Sequence, residues 1–213
     1  MIRTFLVDDH QLFRDGVRSL LAAADDIEIV GEAASGREAL TLTPDLEVDV
    51  VLLDLSMNDR GGLDVAEELK QRSGAYILVC TGFPEEHYAM RCLRGGADGY
   101  LTKTKAAEEL VQAIRKVASG RKFISMELAE RVATSLSSFD DSKAPHERLS
   151  DREFQILCRM GSGQSPSEIA EELCLSVKTV STYRSRILEK LSLENNAQLM
   201  RYAIEEGLVG TSR

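Results

Sequence analysis

With 213 residues the chain has room for one large domain or two small ones, and 43% hydrophobic and 29% charged residues fit a water-soluble globular protein. The longest apolar runs are strand-sized, which excludes a transmembrane helix. A formal net charge of −9 argues against a surface that binds nucleic acid throughout. The start, Met1 to Asp9, turns acidic too soon for a secretory signal peptide. Cys80, Cys92, Cys158 and Cys174 form no paired metal pattern and are expected to be reduced thiols in a cytoplasmic protein, with Cys80 and Cys174 filling small apolar sites. The charge is uneven. From His146 onward nine Lys and Arg stand against ten Asp and Glu, leaving 17 basic and 25 acidic residues before it. Any contact with DNA is therefore expected in the C-terminal third.

Ile2 to Val7 reads as a short apolar strand ended by Asp8-Asp9. A helix follows with Phe13, Val17, Leu20 and Leu21 on one face. Ile27 to Ala33 is a second strand, and Ser35 with Glu38 predicts a capping box opening a second helix. The third strand, Val50 to Leu53, is apolar without alternation, the pattern of a strand buried on both faces of a parallel sheet. Asp54 ends it. A carboxylate there lies at the carboxyl edge of the sheet, where the ligand sites of open α/β sheets lie, although Asp is also an ordinary turn residue. A third helix carries Leu63, Ala66 and Leu69. A fourth strand, Tyr76 to Cys80, ends at Thr81-Gly82, and a fourth helix begins at Pro84. A fifth strand around Tyr100 ends at Thr102-Lys103, and a helix runs over 104–119.

Strand and helix thus alternate five times within one domain length, which predicts an α/β domain with helices on both faces of a five-stranded parallel sheet. The flavodoxin-like strand order 2-1-3-4-5 places Asp8 and Asp9 beside Asp54, with Thr81 and Lys103 on the same edge. Carboxylates gathered about 4 Å apart repel by roughly 4 kcal/mol per pair at an effective dielectric near 20. Such a cluster calls for a cation, and oxygen ligands suit Mg²⁺. With the Lys103 ammonium and the Thr81 hydroxyl, the set suits phosphoryl transfer onto a carboxylate. His10 is expected to be an exposed first-turn residue, because Mg²⁺ prefers oxygen.

Val7-Asp8-Asp9-His10, Leu53-Asp54-Leu55, Cys80-Thr81-Gly82 and Leu101-Thr102-Lys103, in that order and spacing, resemble the receiver domain of bacterial response regulators over roughly the first 120 residues. The resemblance implies that Asp54 is the phospho-acceptor. It implies Mg²⁺ ligation by Asp8, Asp9, Asp54 and the backbone carbonyl of Ser56. Lys103 would pair with the phosphoryl group, and Thr81 and Tyr100 would form a switch pair. The donor would be a phospho-histidine on a sensor histidine kinase.

The receiver is assigned to 1–121 and a linker to 122–147, with a helix over about 125–137. The helix-turn-helix domain is assigned to 148–213. Leu149, Ser150, Glu153 and Phe154 form a capping box and hydrophobic staple at a helix start. Ser165-Pro166-Ser167-Glu168 opens a second helix. Ser176 caps a third over 177–191, and Asn195 a fourth. Two short helices joined by a tight turn read as a helix-turn-helix within an all-α four-helix domain. Val177, Val180, Ile187, Leu188 and Leu191 are expected on the buried face. Lys178, Thr179, Ser181, Thr182, Ser185 and Arg186 are expected outside, and Lys178, Arg184, Arg186 and Lys190 give this helix a positive surface.

Leu149-Ser150-Asp151-Arg152-Glu153, Ile169-Ala170-Glu171-Glu172-Leu173 and Leu175-Ser176-Val177-Lys178-Thr179-Val180 resemble the LuxR-type DNA-binding domain over roughly 148–209. The whole chain is identified as resembling a NarL/FixJ-type two-component response regulator. That implies a transcription regulator whose phosphorylation controls dimerisation and binding to double-stranded DNA, without membrane contact. It implies a homodimer when phosphorylated, and admits RNA polymerase as a further partner. In this family positions 181, 182 and 185 tend to reach bases, and here they are Ser, Thr and Ser, none offering a bidentate Arg–guanine contact. The competing readings are a Mg²⁺-dependent aspartyl-phosphate phosphatase similar to the haloacid dehalogenases, and a DNA binder with a vestigial pocket. The first lacks its proton shuttle, since position 56 is Ser rather than Asp.

One position departs from the receiver pattern. Many receivers carry Pro four residues after the phospho-acceptor, and this chain has Asn58, which predicts a softer loop and an intact site. Asn58→Pro is expected to order that loop and alter phosphorylation kinetics, and unchanged kinetics and loop order would remove the idea.

Overall fold

A computed structural model describes residues 1–57, 62–130, 144–173 and 175–209, without the side chains of Glu86 and His87. Asn58 to Gly61, the stretch 131–143 and Cys174 lie outside the described residues. So do the expectations of a softer loop at Asn58, of most of the helix over 125–137, and of an apolar site for Cys174. Five parallel strands, β1 (Ile2–Val7), β2 (Ile27–Ala33), β3 (Val50–Leu53), β4 (Tyr76–Thr81) and β5 (Gly99–Thr102), form one sheet in the order β2-β1-β3-β4-β5. The helices between and after them are α1 (Gln11–Leu21), α2 (Gly36–Leu42), α3 (Gly62–Ser73), α4 (Glu85–Arg94) and α5 (Ala106–Ala118). The expected topology is the observed one.

The sheet is covered on both faces because its strands carry no polar alternation. Leu6, Val50, Leu52, Leu78, Cys80 and Leu101 pack with Val17 and Leu21 of α1 and with Leu110, Ile114 and Val117 of α5. Their alternate neighbours Phe5, Val7, Val51, Leu53, Ile77 and Val79 point to the opposite face by the strand period of two, and are equally buried there. Each such side chain stabilises the fold by about 1.5–3 kcal/mol relative to an exposed one. Close approach decides one joint near Asp54. A Cβ on Gly62, the first residue of α3, would lie 2.6 Å from the Leu55 Cα, so a side chain there would displace the segment following β3.

The local sequence signals form mostly the elements expected of them, with two differences in the first unit. Ser35 caps α2 by accepting the Glu38 N–H, but the Glu38 carboxylate accepts the Ala34 N–H at 2.7 Å rather than closing a box on Ser35. Residues 122–125, read as the start of a linker, lie against β5. The Tyr100 N–H donates to the Phe123 carbonyl at 2.9 Å, and the Phe123 N–H to the Asp98 carbonyl at 3.1 Å. Phe123 so satisfies the edge of β5, which is otherwise a row of unpaired backbone groups. Helical backbone resumes at residues 126–130.

The chain divides into two units, Met1–Ser137 and Ser138–Arg213. The second contains α6 (Asp151–Gly161), α7 (Pro166–Glu172), α8 (Val177–Lys190) and α9 (Asn196–Glu205). Ser150 with Glu153 and Ser165 with Glu168 form complete capping boxes, and Ser176 and Asn195 cap α8 and α9. Leu149 and Phe154 are both buried, as a hydrophobic staple requires. Gly161 lets α6 approach α9, since a Cβ there would sit 2.5 Å from the Ala203 Cβ. Val180, Ile187, Leu188 and Leu191 are buried, but Val177 is 48% exposed. Val177 is the first residue of α8, and no preceding helical turn covers it. Among the described residues no helix is long and apolar enough to cross a membrane.

Asp98 is the polar anchor at the amino end of β5. Its carboxylate accepts from Lys70 Nζ at 2.8 and 2.9 Å, from Lys122 Nζ at 2.9 Å and from the Ile77 N–H at 2.9 Å. Burial pushes this carboxyl up, but Lys70, the Ile77 amide and Lys122 together hold it below the usual carboxylate range. A depressed carboxyl stabilises the fold above its unfolded pKa, about 3.9, and that stability is lost as pH falls through the folded value. Asp98→Ala is expected to cost about 1–3 kcal/mol at pH 7 and to remove part of the acid limb. Urea denaturation of both proteins between pH 3 and 7 measures it.

Candidate functional site

The carboxyl ends of β1, β3, β4 and β5 meet at one edge. The Asp54 N–H donates to the Val7 carbonyl at 2.9 Å and the Asp8 N–H to the Ala33 carbonyl at 3.1 Å, so the sheet ladder itself aligns the two carboxylates. Asp54 is 1% exposed and Asp8 4%. The Lys103 ammonium bridges them, 2.7 Å from Asp54 Oδ2 and 2.6 Å from Asp8 Oδ2. It also lies 4.6 Å from the Phe13 ring centroid. The Lys103 N–H donates to the Thr81 carbonyl at 2.8 Å, which carries β5 pairing one residue beyond the strand and aims the side chain inward.

Burial of the Asp8 carboxyl, and then the charge of Asp54, push it up against the opposing pull of Lys103 and the His10 N–H, and the net direction is upward. Burial alone would lower the Lys103 ammonium, but Asp54 and Asp8 hold it above its ordinary value. The Cys80 thiol nearby is pushed up to about 12 by burial and stays protonated. The other Asp54 oxygen, Oδ1, accepts the Ser56 N–H at 3.1 Å. Ligand atoms of Asp8, Asp9, His10 and Asp54 all lie within 4.8 Å of one another. His10 is exposed as expected and begins α1 as its N-cap, but its Nδ1 lies 2.8 Å from Asp9 Oδ1 and 3.2 Å from Asp8 Oδ1. That contact had no sequence signal beyond adjacency.

Thr81 is fully buried, with its Oγ1 3.5 Å from Ser56 Oγ. Tyr100 is buried and its hydroxyl donates to the Phe83 carbonyl at 2.9 Å. Burial drives its phenol far above the ordinary range. Phe83 stacks on Tyr88 with ring centroids 4.4 Å apart. Tyr100 therefore stands in an inward position, tied to the β4–α4 loop. All seven residues singled out in the first unit, Asp8, Asp9, Asp54, Ser56, Thr81, Tyr100 and Lys103, lie at or directly behind this edge. The chemistry on offer is that of a desolvated carboxylate nucleophile beside a fixed ammonium and a hydroxyl.

In the second unit Lys178, Ser181, Thr182, Ser185 and Arg186 are exposed on α8, with Thr179 and Arg184 half-buried. The basic surface is narrower than charge counting implied. Lys190 turns to the buried Glu153 carboxylate at 2.6 Å, and Arg184 donates to Asn196 Oδ1. The Arg186 guanidinium lies 5.9 Å from the Tyr183 ring centroid. Lys178 is exposed at the amino end of the helix. An α/β unit with an acidic edge followed by a helix-turn-helix unit is the architecture of a phosphorylation-controlled regulator.

Comparison with known proteins bears this out. Residues 4–115 match the response regulator receiver domain, and residues 147–203 match the luxR family of bacterial regulatory proteins. The response regulator GacA of Pseudomonas viridiflava is 40% identical over 215 residues, covering 100% of both chains. The response regulator UvrY of Escherichia coli K12 is 38% identical over 209 residues, covering 98% of this chain and 96% of UvrY. Among solved structures, the response regulator ChrA of a heme-sensing two-component system is 30% identical with a TM-score of 0.52, covering 97% of this chain and 98% of ChrA. RcsB in a complex with DNA is 25% identical with a TM-score of 0.57, covering 95% of this chain and 98% of RcsB. The chain belongs to the response regulators, with a receiver domain and a LuxR-type DNA-binding domain.

The raised Asp8 carboxyl has a thermodynamic consequence. A carboxyl raised on folding contributes stability that is present at low pH and lost as pH rises through the folded value. Asp8→Asn removes the buried charge, so at pH 7 without divalent cations it is expected to raise the melting temperature by a few degrees. A melting temperature lowered by the substitution contradicts that sign.

Proposed function

We propose that Asp54 accepts a phosphoryl group from a phospho-histidine of a sensor histidine kinase, and that this modification gates dimerisation and DNA binding. The observation that carries the reading is the Lys103 ammonium, 2.7 Å from Asp54 Oδ2 at a 1%-exposed carboxylate. In the transfer a carboxylate oxygen of Asp54 forms a P–O bond as the donor's P–N bond breaks. Lys103 follows the charge onto the phosphoryl oxygens. The Thr81 hydroxyl, 3.5 Å from Ser56 Oγ, moves to bond the new group, and Tyr100 fills the space behind it. The added charge of about −1.5 to −2 favours the arrangement in which these contacts form. Ser56 offers no acid–base group for fast hydrolysis, which suits a timed signal.

The donor set fits Mg²⁺. Asp8, Asp9 and Asp54 supply oxygens that converge on one point, and the raised Asp8 carboxyl marks a cluster that a divalent cation would relieve. Asp8, Asp9, Asp54 and the Ser56 backbone carbonyl would hold it, and bound there it neutralises the charge on the transferring phosphoryl oxygens. The His10 nitrogen belongs to a weaker class of ligand for this ion.

For the output, we assign Lys178, Arg184 and Arg186 to DNA phosphates and Thr179, Ser181, Thr182 and Ser185 to the groove-facing surface of α8. Such a helix binds with strong salt dependence and relaxed sequence preference, because hydroxyls discriminate bases weakly. A dimer reads two half-sites about one DNA turn apart.

Genome-wide DNA binding of the wild type and Asp54→Asn, each with and without a small-molecule phosphodonor, tests the gating. Occupancy is expected to rise only for the phosphorylated wild type, and equal binding in all four conditions sinks the mechanism. Lys178→Ala is expected to weaken binding uniformly across sequences and to reduce the slope of log affinity against log salt by about 1. A sharp consensus retained in Ser181→Ala and Thr182→Ala contradicts the assignment of α8.

A further inference from the structure

Arg14 is a charged residue only 9% exposed, one turn into α1. Its guanidinium serves three separate acceptors. Nη1 donates to the Asp8 carbonyl, Nη2 to Gln11 Oε1, and Nε to Glu32 Oε2 at 3.1 Å. It therefore joins the β1–α1 turn, α1 itself and β2. It also lines a small cavity of about 10 Å³ beneath the acidic edge, together with Asp8, Asp54, Phe13 and Cys80.

The turn that Arg14 grips also carries the Asp8 N–H bond to the Ala33 carbonyl and the His10 contacts, but Arg14 is the side chain that ties it to both α1 and β2. α1 has no side-chain cap at its N-cap residue, His10. Asp8 uses one of its own oxygens, Oδ1, to accept the His10 N–H at 2.8 Å, so the orientation of its carboxylate and the path of the turn are one variable. The backbone carbonyl of Asp8 is the point at which that path is fixed from below. Only a planar fork with donors on three nitrogens reaches all three acceptors at once, and a lysine ammonium is a point charge without that geometry.

We propose that Arg14 is a positioning residue for the cation site, setting the angle at which the Asp8 and Asp9 carboxylates converge on Asp54. The proposal rests on the reading of that edge as a Mg²⁺-assisted phospho-acceptor site. Its sign is not obvious, because removing a positive charge behind three carboxylates should by itself tighten a divalent cation. Glu32 answers that objection. It pairs with Arg14 through Oε2 and with Arg18 through Oε1, and Arg18 pairs in turn with Asp15, so two cations and two anions balance behind the site and the loss of geometry dominates. Groups that orient ligands from behind typically change metal affinity by about 10–100-fold.

The test is Mg²⁺ titration of the full chain followed by backbone and Arg Nε–Hε NMR shifts, for the wild type, Arg14→Lys and Arg14→Gln. Acetyl phosphate labelling of Asp54 is run alongside. Positioning predicts that both variants raise the half-saturating Mg²⁺ concentration by about 10–100-fold, including the one that keeps the charge. It also predicts that the wild-type Arg14 Nε–Hε resonance shifts on saturation, a readout that needs no variant to fold. Arg14→Lys binding within twofold of the wild type, Arg14→Gln binding tighter, or an unmoved wild-type resonance beside shifting Asp8 and Asp9 amides overturns the proposal. A wild type that shows no Mg²⁺-dependent shift and takes no label overturns the phospho-acceptor reading itself, and the proposal with it.

Discussion

One ammonium between two buried carboxylates is the constraint on which the first unit depends. Asp8 and Asp54 are aligned by the sheet ladder and almost wholly desolvated, so their repulsion has no solvent to screen it. Lys103 reaches both at 2.6 and 2.7 Å. It can do so because its backbone is still paired to Thr81 beyond the end of β5. The fold thus holds a destabilising cluster in place with contacts made elsewhere, chiefly the apolar strands that bury it. Lys103 is shared between Asp54 and Asp8, so the positions of both carboxylates are tied to one ammonium.

The residues around this ammonium are linked to one another. Thr81 ends the strand next to β3 and faces Ser56, while Tyr100 on the next strand is hydrogen-bonded to Phe83 in the loop after Thr81. Thr81 and Tyr100 are therefore joined through that loop as well as through the sheet. Behind Tyr100, the Phe123 backbone pairs with β5, and Lys122 and Lys70 both hold Asp98. The strand that carries Tyr100 is so anchored at its amino end, while its carboxyl end, paired to Thr81, carries Lys103 into the acidic edge.

The second unit is organised by its helix caps rather than by a polar core. Two complete capping boxes and two further N-caps satisfy the first turns of four short helices, each typically adding about 1 kcal/mol. Glu153 has two uses, closing the box on Ser150 and receiving Lys190 from the end of α8. That second contact clamps α8 to α6 and offsets the charge of Lys190, so the basic character of α8 rests on Lys178, Arg184 and Arg186.

Much of both units was legible in the chain alone. Apolar runs without alternation specify buried parallel strands, and Ser-x-x-Glu words specify helix starts, because these signals are local and act within one turn or one strand. The placement of Asp8, Asp54, Thr81 and Lys103 at strand ends was legible for the same reason, and strand order then brought them together. What the chain alone did not reveal depends on distant partners. Val177 looks like core by spacing, yet at the start of α8 it stays 48% exposed. Glu38 reaches past Ser35 to Ala34, a choice set by the path of the chain entering α2. Arg14, Asp98 and Phe123 carry no motif, and their roles arise only because Glu32, Lys70 and the β5 edge lie next to them once the sheet is built. Sequence by itself determined the elements, their order and the reactive edge. Tertiary structure alone decided which charges meet, because the distance between side chains far apart in the chain is a property of packing and not of spacing.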